Sequence, residues 1–123
     1  MSEEVNAVNA VIEAYVQACR SGDVRGLEAI FHSRAVMTGY MGEELLLTSP
    51  APFFDAVRQT PSPESDGADY EARITHTEVA GEVASVTLDE RGYMGMNFTN
   101  FFHLVKVDGD WYIVSKTFQA SLP

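Results

Sequence analysis

Residues 96–120 constrain this chain more than any other stretch. They read Met-Asn-Phe-Thr-Asn-Phe-Phe-His-Leu-Val-Lys-Val, then Asp-Gly-Asp, then Trp-Tyr-Ile-Val-Ser-Lys-Thr-Phe-Gln-Ala. Aromatic and β-branched residues fill both arms, and Asp108-Gly109 supplies the positive-φ positions of a tight reversal, so a long β-hairpin is expected. Both of its faces are too apolar to stand in water. One must cover a core or pocket, and the other a second layer or a partner chain.

Upstream of the hairpin, residues 70–79 and 82–91 alternate with a period near two. Ala80-Gly81 joins them and a turn at residues 92–95 follows, which completes a meander of four antiparallel strands. Residues 4–21 carry Val5, Val8, Ile12, Tyr15, Val16 and Cys19 at the spacing of one helix face, with Ser2 as N-cap. Gly22 ends that helix in the left-handed conformation, and Asp23 caps a second helix through Phe31 that turns Leu27, Ile30 and Phe31 inward. The Asp23 carboxylate is thereby assigned to the cap and not to catalysis. Residues 35–38 and 43–47 read as a hairpin across residues 39–42. Residues 50–58 form a third helix with Phe53, Phe54 and Val57 on its apolar side. Residues 60–69 combine prolines, serines, a glycine and acids, the composition of an exposed, mobile loop. The class expected is α+β, in one domain spanning residues 1–123.

Composition narrows the functions. A hydrophobic share of 46% in 123 residues excludes general disorder, and the apolar runs are too short to cross a bilayer. Eighteen acidic against eight basic residues give a net charge of −10, a field that repels nucleic acid and anionic membranes. The acids are scattered, so their first role is a solubilising surface. The first residues lack the basic and apolar runs of a secretory signal, which makes a cytoplasmic location the expectation. Cys19 has no second cysteine to pair with, in keeping with a reducing compartment, and on its helix stripe it reads as a buried inert thiol. No phosphate-binding glycine loop, nucleophile elbow or Cys-x-x-Cys occurs. His32, His76 and His103 are widely separated, so no metal and no cofactor are expected.

Tyr15 with Gly22-Asp23, Leu27 to Phe31 with His32, and the terminal Phe-His-Leu-Val-Lys-Val-Asp-Gly-Asp-Trp-Tyr-Ile-Val-Ser-Lys-Thr-Phe together resemble the NTF2-like superfamily. Within it, the chain is most similar to SnoaL-like and lumazine-binding-like proteins, over nearly its whole length. The resemblance implies a cystatin-like cone, in which a strongly curved, mainly antiparallel sheet wraps three helices around an internal pocket. It fixes no reaction, since the fold hosts isomerases, dehydratases, cyclases and plain binding proteins. The superfamily's steroid isomerases use a first-helix tyrosine and two acids. Tyr15 matches the tyrosine, but the acid positions fall near Gly39 and at Asn100, and neither is acidic. That mechanism is therefore not transferred.

What remains is a polar set of Tyr15, His32, Asn100 and Lys116, with Met37, Phe102 and Phe118 as apolar lining. The resemblance turns Phe98, Asn100, Phe102 and Leu104 inward on one arm of the hairpin, and Tyr112, Val114, Lys116 and Phe118 inward on the other. Each polar residue also has an ordinary structural explanation: Tyr15 as a core tyrosine, His32 as a cap on helix carbonyls, Lys116 as a side chain reaching the rim. Asn100 is the hardest to explain that way, because an amide among phenylalanines must find partners. A binding protein for a small, largely apolar or aromatic molecule with carbonyl or hydroxyl groups is the first expectation. A SnoaL-like isomerase, cyclase or dehydratase using Tyr15 and His32 as acid and base is the alternative. The hairpin's other face, with Phe101, His103 and Val105 and an extension through Trp111 and Ile113, is expected to form a homodimer interface.

Overall fold

Capping residues set the helical part of the chain. In the computed structural model, which describes residues 2–123, Ser2 accepts the Val5 N–H at 3.1 Å and opens α1 (Glu3–Ser21). Gly22 closes it at φ 73°, and Asp23 accepts the Gly26 N–H at 3.0 Å to open α2 (Val24–Ile30). The expected joint and both caps are there. Phe31 is the first residue of a strand and not the last of the helix, although it is buried as expected.

That strand, β1 (Phe31–Met41), is longer than expected, and its turn to β2 (Glu44–Thr48) lies at Gly42-Glu43. Gly39 is therefore a strand residue. A Cβ there would run into the Phe118 carbonyl of the neighbouring strand, so only glycine lets the two backbones pack. After α3 (Ala51–Gln59), the segment expected to be a loop contains one further helical turn, α4 (Pro63–Asp66). Ser62 caps it, Pro63 occupies its first position with its ring buried, and Gly67 closes it at φ 70°. The turn formers that signalled a loop are those of a capped turn.

The remaining strands are β3 (Glu71–Ala80), β4 (Val83–Tyr93), β5 (Met96–Val107) and β6 (Asp110–Ser121). The sheet order is β2-β1-β6-β5-β4-β3, and every pairing is antiparallel except β1 with β6. Asp108 and Gly109 turn β5 into β6 with φ of 50° and 88°. The cone-shaped α+β architecture follows, with one continuous core between the helices and the sheet's inner face.

One expectation about the hairpin is wrong for a definite reason. On β5, Phe98, Asn100, Phe102 and Leu104 do point inward. On β6, the pairing steps from His103 with Ser115 to Leu104 with Ile113, so Val114 is an extra residue, a β-bulge. The bulge inverts the strand before it. Trp111 and Ile113 are buried in the core, and Tyr112 and Val114 are not, the reverse of what unbroken alternation predicts. Lys116, Phe118 and Ala120 beyond the bulge face inward. As a check on the β1–β6 contact, Gly39→Ala is expected to lower unfolding free energy by about 1–3 kcal/mol. Chemical denaturation of wild type and variant measures it.

Candidate functional site

Among the described residues, the interior of the cone holds Glu90, Asn100 and Lys116 as buried polar or charged side chains, besides its buried tyrosines and tryptophan. Alternation along β4 turns Ala84, Val86, Leu88 and Glu90 inward, so the last inward position of that series is a carboxylate. Tyr70 Oη donates to Glu90 Oε2 at 2.6 Å, and Asn100 Nδ2 donates to Glu90 Oε1 at 2.8 Å and to the Leu88 carbonyl at 3.1 Å. Both oxygens of the acid are satisfied. Burial and the neighbouring Glu90 push the Tyr70 phenol far above its ordinary range, so it stays a donor.

Lys116 sits in mid-sheet, level with Met37 on β1 and Phe102 on β5. Its side chain enters a cluster of rings. Nζ lies 4.4 Å from the centroid of Phe53, 5.0 Å from Phe118, 5.5 Å from Tyr15 and 5.7 Å from Phe98. Among the described residues, no carboxylate is within ion-pairing distance of it. Burial lowers the affinity of this amine for a proton, against the smaller opposing pull of Glu90 and Cys19. Ring faces return part of the lost hydration of an ammonium, but they carry no countercharge.

Lys116 lines a pocket of about 180 Å³ whose other walls include Met37, Met41, Phe53, Phe98 and Phe118. Tyr93 completes the wall, with its hydroxyl buried beside the Cys19 thiol. A roomier cleft of about 520 Å³ lies outside the cone among Arg20, Arg73, Asp89 and Arg91. It is charged and open, and Tyr70, one of its walls, is turned inward onto Glu90, so the smaller apolar pocket is the better ligand site.

Over residues 3–119 the chain matches the family described as "Putative lumazine-binding". It belongs to this family, within the NTF2-like superfamily. Aldolase FrzH of Cladobotryum sp. is 30% identical over 97% of this chain and 93% of its own. An NTF2-like protein of unknown function from Silicibacter pomeroyi is 30% identical with a TM-score of 0.87, covering 98% of this chain and all of that one. Another from Shewanella baltica is 27% identical with a TM-score of 0.86, covering 98% and 96%.

In this NTF2-like chain the expected site residues separate into groups. Met37, Lys116 and Phe118 line the pocket itself. Tyr15 and Phe102 are fully buried behind it, their ring centroids 5.0 Å apart in an edge contact, with the Tyr15 hydroxyl beside the Cys19 thiol. Asn100 has committed its N–H groups to Glu90 and Leu88, which leaves only its Oδ1 unpartnered. His32 is not with them. It follows inward-facing Phe31, accepts the Arg34 N–H on Nδ1 at 3.0 Å, and meets the edge of Tyr112 on the sheet's other side. Tyr15 and His32 are thus not brought together as an acid–base pair. Cys19 is buried, its thiol pushed up to about 12, as suits an inert core residue.

Tyr70, Glu90 and Tyr93 are interior polar residues absent from the expected set. Glu90 had a signal, since it continues the inward series of Val86 and Leu88. Tyr93 had none, because the β4–β5 register slips between Glu90 and Tyr93 and breaks the alternation. The lysine gives a pH test. Folded Lys116 binds its proton less tightly than the unfolded side chain, at its ordinary 10.5, so between the lowered value and 10.5 the unfolded chain holds more protons. Wild-type stability should therefore rise with pH across that window relative to Lys116→Met. Paired denaturation curves over a pH series check the sign.

Proposed function

We propose that the pocket binds a small, largely apolar or aromatic molecule carrying a carbonyl or hydroxyl group. The observation that carries this reading is Lys116, a lysine without an acid partner set in an otherwise apolar chamber. Apolar walls give affinity, and a few convergent polar groups give direction. Here the Lys116 amine supplies the donor. Asn100, Tyr15 and His32 were the other candidates; Asn100 Oδ1 and Tyr15 Oη lie deeper, and His32 is the weakest, given its place outside the cluster. At about 180 Å³ the chamber is smaller than the roughly 300–1,000 Å³ typical of drug-sized ligands, so a compact ligand fits best, with Met37 and Met41 as adaptable walls. A flat carbonyl-bearing heteroaromatic, the kind of ligand the family's description names, meets the same demands.

A second reading, that the ligand is a substrate, is favoured by the 30% identity to a protein named an aldolase and by a carboxylate inside the cone. Glu90, not His32, is then the acid or base to examine.

A thermal-shift screen of small aromatic aldehydes, ketones and alcohols tests the pocket. Met41→Trp, at the pocket wall, should keep the fold and weaken every hit at least about tenfold, roughly 1.4 kcal/mol. Equal shifts in wild type and variant would place binding elsewhere.

The reading also includes a homodimer through the outer sheet face. Register aligns Leu47, Thr38, Thr117 and Phe101 in one row across four strands, with Val36, Tyr40, Leu45, His103 and Val105 in adjoining rows. Leu47 is 71% and Phe101 51% exposed. Such a face in a protein of this charge calls for a cover, and a second copy supplies the same apolar surface. Trp111 and Ile113 take no part, being buried in the core. Sedimentation at micromolar concentration should give a dimer for wild type and a monomer for Phe101→Glu; a monomeric wild type ends the idea.

A further inference from the structure

We infer that Lys116 is a nucleophile that captures an aldehyde or ketone in the pocket as an imine. The inference rests on the pocket reading above and specifies the bond its ligand makes. An ordinary lysine is almost wholly protonated at neutral pH and has no lone pair to offer. Lys116 departs from that case in three ways. It is 3% exposed, it has no carboxylate within ion-pairing distance to hold it as an ammonium, and it opens into a chamber of ligand size. Burial shifts it further toward the free amine.

The rings around Nζ add a second observation. They face the position where cationic nitrogen forms, so they stabilise an iminium as they stabilise an ammonium.

The step balances without any other reagent. The Lys116 lone pair forms a C–N bond to the carbonyl carbon while the C–O π pair moves to oxygen. Proton transfer from nitrogen to that oxygen gives a neutral carbinolamine. The hydroxyl then takes a proton from solvent and leaves as water, and the nitrogen lone pair completes a C=N bond. Amine, carbonyl and one proton become a protonated imine and one water. Nothing is oxidised or reduced.

The chain contains its own control, because its other lysine is the opposite case. Lys106 is near the surface, donates to Glu4 at 2.8 Å, and is held above its ordinary value by that bond. The experiment incubates the full-length protein at neutral pH with benzaldehyde and cyanoborohydride, which reduces a protonated imine to a stable amine, followed by peptide mapping. Lys116 should be labelled faster than Lys106, since burial favours its free amine while the Glu4 bond holds Lys106 as an ammonium. Lys116→Met should lose the selective adduct, Lys106→Arg should keep it, and prior unfolding in urea should abolish the preference. Equal labelling of the two lysines in the folded protein, or labelling of Lys106 alone, overturns the inference. Benzyl alcohol, which has the same body without the electrophilic carbon, separates the two readings. If it raises Tm while Lys116 stays unlabelled, the pocket stands and the imine falls. If neither compound shifts Tm or labels Lys116, the pocket reading falls and takes the imine with it.

Discussion

Two buried ionisable side chains of opposite sign, Glu90 and Lys116, share one small interior without forming a salt bridge. Much of the cone is arranged around that separation. Glu90 is fully used, holding Tyr70 with one oxygen and Asn100 with the other. Lys116 has ring faces instead of an anion. Had the two met at hydrogen-bond distance, each would have quenched the other, and the pocket would be lined by a neutral pair. Apart, the acid ties the residue preceding β3 to β4 and β5, and among the described residues the amine has no carboxylate within ion-pairing distance.

Curvature makes that separation feasible. The register slips on β1 between Phe31 and Val36, between β3 and β4 at Ile74 and His76, between β4 and β5 at Glu90 and Tyr93, and on β6 at Val114. Each extra residue bends its strand and increases local twist. A flat sheet would press its inner face against α1 along its whole length. In the bent one α1 packs on β3, β4 and β6, and the pocket lies among β1, β2, α3, β5, β6 and the β4–β5 turn. The bulge at Val114 also moves Trp111 and Ile113 into the core and leaves Tyr112 outside. The two halves of β6 thus serve different purposes, the first packing the core and the second presenting Lys116 and Phe118 to the pocket.

What could be read from the sequence follows from what has a local signature. Ser2, Gly22 and Asp23 announce caps by residue type, Asp108-Gly109 announces its turn, and the inward face of β5 follows from simple alternation. A bulge has no such signature, because the inserted residue is as ordinary as its neighbours. Every error about facing, from Tyr112 and Val114 to the missed Tyr93, lies beside one. The turn at Pro63–Asp66 was hidden differently: Ser-Pro before Gly marks either a loop or a capped turn, and the burial of Pro63 decides between them. The site was half legible. Lys116, Met37 and Phe118 line a pocket, whereas His32 faces the sheet's other side next to Phe31, which is level with Ile113 and not with Lys116.

The absence of acids at the two positions where the steroid isomerases carry them now has a structural counterpart. At Gly39 no side chain fits, because the Phe118 backbone occupies the space a Cβ would need. Its neighbours Thr38 and Tyr40 face the other way, Thr38 bonding Thr117 at 2.9 Å across the outer surface. At Asn100 an amide replaces the acid, but the residue is not neutral ground, since its N–H groups bind Glu90 from the adjacent strand. The carboxylate has in effect moved one strand over, and Asn100 tethers it. A mechanism transferred by position finds glycine on β1 and an amide on β5 where it needs acids, and the nearby carboxylate, Glu90 on β4, already has both oxygens bonded to Tyr70 and Asn100.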